Sequence, residues 1–101
     1  MILPKIRQYP KRIRVRGEPW DIQFVRKIPS NDTHDVGLCD PSNNTIYIKL
    51  KQSPRDTFLT FIHEVIHAME VEWDFNLPHT QKDDVVDKLE RAIGEFLENN
   101  F

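Results

Sequence analysis

At Ser53-Pro54 the hydrophobic period of this chain changes, and that switch constrains its fold more than any other feature. Before it, apolar and polar residues alternate, as on a half-buried strand. After it, apolar residues recur every three or four positions, as on one face of a helix. Arg12-Ile13-Arg14-Val15-Arg16 alternates, Gly17-Glu18-Pro19 breaks the run, and Trp20-Asp21-Ile22-Gln23-Phe24 alternates again with Val25 extending it. These two runs predict a β-hairpin. Residues 29–35 form a polar loop by composition. Residues 36–40 and 45–50, joined by the turn-forming Pro41-Ser42-Asn43-Asn44, predict a second hairpin with Ile46, Ile48 and Leu50 on one face.

Beyond the switch, Ser53 is a good N-cap, Pro54 suits the first helical position, and Asp56 falls in the first turn, where a negative charge suits the helix dipole. The helix should run to about residue 72. Phe58, Leu59, Phe61, Ile62, Val65, Ile66 and Met69 give it an apolar face broad enough for a central position. Asp74-Phe75-Asn76-Leu77-Pro78 interrupts the pattern. A last helix over about 82–98 is lined by Val85, Val86, Leu89, Ala92, Ile93, Phe96 and Leu97. Two hairpins followed by helices predict an α+β fold, a small and mostly antiparallel sheet of three to five strands packed on two or three helices.

A length of 101 residues supports a single domain over 1–101. No apolar run approaches the roughly 20 residues of a membrane-spanning helix. The first residues lack a continuous apolar stretch, which argues against a secretory signal, and the single cysteine, Cys39, excludes an internal disulfide framework. A cytoplasmic location is the expectation. The formal charge of −2 hides an asymmetry. Residues 1–16 carry six basic side chains and no acid, whereas residues 83–98 carry six acids against Lys88 and Arg91. The basic arm is either a contact for nucleic acid or an acidic partner, or a solvated strand face balancing the acidic helix. Few aromatics interleave with it, which favours the solvated face.

Within the central helix stands His63-Glu64-Val65-Ile66-His67. Residues at i and i+4 share a helix face, so two imidazoles there can bind one Zn2+ at about 2.0–2.1 Å. Glu64 sits beside the pair, where it can take a proton from water without ligating the metal. Phe61, Ile62, Val65 and Ile66 surround these groups with apolar side chains, and buried charge is costly without a partner or a metal. The competing interpretation is a polar stripe facing solvent, with two titrating histidines.

A catalytic zinc site needs a third protein ligand. Trp73 and Glu70 stand where a metzincin has His and Gly, which excludes that subclass. The contenders are His79 and a carboxylate of the last helix. If the two helices form an antiparallel hairpin turning near 77–78, position 90 faces position 65, midway between the histidines. Geometry therefore favours Glu90, with Asp83 and Asp87 as flanking, solvated acids, and Asp84, Glu95 and Glu98 pointing away. Glu90 as a rim carboxylate paired with Arg91 or Lys82 is the plainer alternative. His79 is the alternative ligand, a group at the mouth of the site that binds substrate or an oxyanion, or an exposed loop histidine. His34 has no assigned role, and Cys39 reads as a small core residue.

On these residues the chain resembles the zincin metallopeptidases, in particular the very small single-domain ones of bacteria, prophages and phages. The match covers about residues 36–100 and rests on the strand pair, the Pro-initiated helix with Thr60-Phe61-Ile62-His63-Glu64-Val65-Ile66-His67-Ala68, and the later Leu89-Glu90. The order is similar to the ImmA/IrrE-like peptidases. The resemblance implies a zincin-like fold with a catalytic core at 36–100, preceded by a basic strand and hairpin region at 1–35. It implies His63, His67 and Glu90 as zinc ligands, Glu64 as general base, and a peptide or protein substrate bound along the strand preceding the helix, residues 45–50. SprT-like proteases share the helix motif, but His79 is followed by Thr80 rather than Gly, a poorer match.

Two functions follow as expectations. One is a zinc-dependent peptidase in which Glu64 activates a water to cleave a peptide bond. The other is a phage or prophage regulatory or binding protein on a zincin scaffold, contacting host protein or nucleic acid through the basic arm.

Overall fold

The computed structural model describes residues 3–32, 34–75 and 85–100, apart from the side chain at position 98. Four strands and two α-helices make an α+β fold: β1 (Arg12–Val15), β2 (Glu18–Val25), β3 (Gly37–Asp40), β4 (Thr45–Lys49), α1 (Pro54–Glu72) and α2 (Val85–Asn100). A short 3-10 turn, Ile6–Gln8, precedes β1.

Both predicted hairpins form, and each turn has a local cause. Arg16 and Gly17 both take positive φ, 50° and 79°, the tight two-residue turn that matches the twist of paired strands. Pro19 lies inside β2, where the sequence suggested a break. It is tolerated because β2 meets β4 only from Asp21 onward, so no neighbouring strand there needs its missing N–H. In the second turn the Asp40 carboxylate accepts hydrogen bonds from Ser42 N–H at 3.1 Å and Asn43 Nδ2 at 2.9 Å.

The sheet order is β1-β2-β4-β3. β1 and β2 are antiparallel, as are β3 and β4, but β2 and β4 run parallel, so the sheet is mixed. Hydrophobic burial explains the order. Ile46 and Ile48 of β4 are fully buried, whereas all four residues of β3 are only half-buried. The most apolar strand takes two neighbours and the shorter one takes the rim. This corrects the expectation of a binding edge at residues 45–50, because β4 is paired on both sides and the open edge on that flank of the sheet is β3.

α1 begins as the sequence requires, with Ser53 Oγ accepting from Asp56 N–H at 3.1 Å and Pro54 in the first turn. Ala68, Phe61 and Val65 press on the sheet around Trp20, Ile22, Ile46 and Ile48. Phe58, Ile62 and Ile66 pack with Tyr9 and Val86, placing α2 over α1. The helices come close at Gly94, where a Cβ would lie 3.1 Å from Leu59 Cδ2.

α2 is rotated from the orientation its apolar residues suggest. Val86, Glu90 and Gly94 are buried, while Leu89, Ala92, Ile93 and Phe96 of the expected inner stripe are exposed. Seven apolar residues in this helix span too wide an arc to fix its rotation. The close contact at Gly94 and the pairing of Glu90 decide it. The first positions expected for this helix, 82–84, lie outside the described residues. No described helix is long and apolar enough to cross a membrane.

Candidate metal centre

His63, Glu64 and His67 lie on the middle turns of α1, and the structure brings the two imidazoles together. Their Nε2 atoms are 3.0 Å apart. Each ring uses its other nitrogen on a carboxylate. His63 Nδ1 is 2.9 Å from Glu90 Oε2, and His67 Nδ1 is 2.7 Å from Glu70 Oε1. Glu90 and Glu70 are both buried, at 8% and 7% exposure. A carboxylate at Nδ1 makes that nitrogen the donor and leaves Nε2 as an unprotonated acceptor.

Two bare nitrogens at this distance repel each other unless something positive lies between them. Two ligands of one tetrahedral zinc, each at about 2.05 Å, are separated by about 3.3 Å. The pair is within a few tenths of an ångström of that spacing, so the donors fit such an ion. Without a metal, a hydrogen bond donated from one Nε2 to the other would span the same gap. Burial pushes the His63 pKa down, but the Glu90 hydrogen bond and the charges of Glu64, Glu90 and Asp87 outweigh it, so the net shift is upward.

Glu64 points the other way from these carboxylates in its chemistry. It is 7% exposed and accepts no hydrogen bond from any described residue. Desolvation raises its pKa to about 7, with His63 opposing the rise and Asp35 and Glu90 adding to it. A buried carboxylate that titrates near neutrality is suited to taking and returning a proton.

What holds β3 against this residue is Gly37. A Cβ there would lie 2.7 Å from both Glu64 Oε2 and Thr60 Cγ2. Val36 O accepts from Lys49 N–H at 2.9 Å. By antiparallel alternation Gly37 and Cys39 turn their backbone N–H and C=O away from β4, toward the open edge. Two cavities follow this edge, and His63, Glu64 and Gly37 line both. One, of about 550 Å³, extends along Leu38 and Cys39 to Val71 and Phe75. The other, of about 440 Å³, extends back along Asp35 and Val36 to Asp56 and α2.

The expected site residues are thus partly assembled. His63, Glu64, His67 and Glu90 converge. Glu90 meets His63 at Nδ1 rather than beside the Nε2 pair, so direct ligation requires its carboxylate to swing to the other side of the ring. Asp87, expected to be solvated, is half-exposed and 3.2 Å from His63 Nδ1. His63, Asp87 and Glu90 are the one set of three metal-capable groups within 4.8 Å of one another among the described residues. His79, Asp83 and Asp84 lie outside the described residues. His34 is exposed at the rim of the second cavity. Cys39 packs against the core, and burial, followed by the charges of Glu64, Asp40 and Glu70, pushes its thiol up to about 12. That environment does not suit a nucleophile.

Sequence reasoning missed Glu70 and Gly37. Glu70 was weighed only as a departure from the metzincin pattern. Its spacing of three from His67 was the available signal, since such pairs meet on a helix face. Gly37 carried no local signal, because its role depends on a helix that starts seventeen residues later.

Three of the six basic side chains of the arm are engaged within the molecule. Arg12 pairs with Asp21 at 2.9 Å, Arg14 donates to Gly17 O at 3.0 Å, and Arg16 donates to Glu72 O at 3.3 Å while stacking over Trp73 at 4.5 Å. Comparison with protein-family models, with curated proteins and with solved structures gives no match for this chain.

Proposed function

We propose that the chain is a zinc-dependent peptidase, with His63 and His67 binding the ion through Nε2. The observation that carries this is the pair of Nε2 atoms 3.0 Å apart, each ring held from behind by a buried carboxylate. Bound there, zinc supplies Lewis-acid polarisation of a carbonyl and acidification of a water. The remaining steps belong to the chain itself. The open edge of β3 takes an extended peptide as an added strand, through the outward groups of Gly37 and Cys39. Glu64 accepts the proton of the attacking water and returns it to the departing amine nitrogen. Glu70 and Glu90 keep the imidazoles in the tautomer that leaves Nε2 free. The third ligand would be His79, or else Glu90 after the swing described above, in which case Asp87, 3.2 Å from Nδ1, is the acid that remains behind His63.

Metal analysis of protein purified without added zinc tests this directly. About one zinc per chain is expected, lost in His67→Ala, together with peptide hydrolysis that stops when the metal is removed and returns when zinc is restored. Folded protein that neither retains nor takes up zinc would refute it.

A further inference from the structure

The side of α2 that looks core-like in sequence, and is left outside the core, has an order of its own. Leu89, Ile93 and Phe96 are 37%, 40% and 58% exposed, and Ala92 beside them is exposed as well. At about 100° per residue, Val85, Leu89, Ala92 and Phe96 fall on one line, centred about 130° round the helix from the buried Val86, Glu90 and Gly94. α1 meets α2 on that buried side. The line itself has the spacing of the a and d positions in a two-helix seam. We propose that α2 pairs with the α2 of a second copy of this chain, antiparallel across a two-fold axis. The pairing does not depend on the peptidase function proposed above, and it leaves Glu90 with His63.

Charge and size both select a second copy in that orientation. Lys88 and Glu95 are exposed and flank the line on one rim, each just before a large apolar residue, Leu89 or Phe96. In an antiparallel pair related by a two-fold axis, like rims lie side by side with their ends exchanged. Lys88 of each copy then comes near Glu95 of the other, and the attraction is made twice. A parallel pair would set Lys88 against the opposite rim, where Val86 and Ile93 carry no charge. With the ends exchanged, Leu89 lies against Ala92 and Phe96 against Val85, a large side chain on a smaller one in each layer. A surface that complements itself in both respects fits its own copy.

The test is sedimentation velocity of the full chain as purified, from about 1 µM to about 1 mM, a range that spans weak association. One short helix per copy gives less contact than the roughly 1,200 Å² at which stable interfaces begin, so a dissociation constant on the order of 10–100 µM is expected. The mass should rise from 12.0 kDa to twice that and no further. Phe96→Glu should stay monomeric throughout, with circular dichroism and thermal unfolding unchanged. Lys88→Glu and Glu95→Lys should each weaken the dimer about tenfold at low salt. The double variant, or an equimolar mixture of the two single variants, should restore it to within about threefold, because both put opposite charges back across the axis. A chain that stays monomeric throughout, a dimer untouched by Phe96→Glu, or a charge reversal that the double variant does not repair would overturn the inference. In the first case, binding to phosphatidylcholine vesicles that Phe96→Glu removes would assign the stripe to a lipid surface instead.

Discussion

The sheet has two open edges, and they are built to opposite ends. β1 is short, carries Arg12 and Arg14 with Arg16 just beyond, and ties those cations to Asp21, Gly17 and Glu72. A short edge studded with positive charge is a standard defence against unwanted strand pairing. β3 is equally short but carries no positive charge. Its outward backbone groups are those of Gly37 and Cys39, and a helix carrying buried polar groups lies against them. One edge is closed to other chains by charge, and among the described residues no strand pairs with the other, which runs beside His63, Glu64 and His67. The contrast teaches that the arginine-rich arm is in good part what keeps one sheet edge from pairing with other chains.

The comparison can be broken most severely at Glu64. Glu64→Gln should leave zinc bound and lower turnover by about 10²–10⁴-fold, the range assigned to general base catalysis. Retained turnover in a peptide assay would remove the β3 edge from any enzymatic role. The same substitution has a second readout in the metal-free protein. Burial raises the Glu64 pKa from 4.5 to about 7, so the folded state favours the protonated acid. Its contribution to stability is fully present below about pH 4.5 and is lost as pH rises through about 7. Glu64→Gln should therefore stabilise the metal-free protein at pH 8, by on the order of 2–3 kcal/mol, with the gain vanishing at pH 4. Urea unfolding at the two pH values measures it.

Next in size are the two carboxylates behind the histidines. Glu70→Gln should weaken zinc binding about 10–100-fold, as expected for a group that orients a ligand. Glu90→Gln should do the same if Glu90 stays at Nδ1 of His63, and should exceed that range if it ligates. Competition with a chelator of known affinity separates the two.

Smaller again is Gly37→Ala. The new methyl group meets Glu64 and Thr60 at 2.7 Å, which should cost about 1–3 kcal/mol of stability through overpacking and lower turnover by displacing Glu64. The matching change on the guarded edge, Arg14→Ala, should stay within about 0.5 kcal/mol. Equal effects at the two positions, measured by thermal unfolding, would erase the distinction between the edges. Also small is the expected effect of Arg16→Ala, about 0.5–1 kcal/mol for the lost stacking on Trp73, with turnover unchanged.

Much of this architecture was legible in the order of residues, and the exceptions share a cause. Ser53-Pro54, the two hairpins and the shared face of His63 and His67 are local features, written within a few positions of one another. Glu90 was placed opposite the histidines from helix spacing alone, and it is there, though at Nδ1. Glu70 lay within local reach too, three positions from His67, and was passed over because it was weighed only against a motif. The rotation of α2, by contrast, was not readable. Leu89, Ile93 and Phe96 look as core-like in sequence as Val86 and Leu97, and only the contact of Gly94 with Leu59 and the bond from Glu90 to His63 choose between them.

The sequence by itself determined the strands, their turns, the capped helix and the spacing that stacks two imidazoles over one turn, because short-range sterics and hydrogen bonds fix all of these. Tertiary structure alone decided that β4 lies inside and β3 at the rim, that Gly37 admits Glu64, and that Asp35 and Asp56 share a cavity with α2. Those outcomes depend on which buried surfaces find each other across the chain, and an apolar residue carries no mark of the partner it will meet.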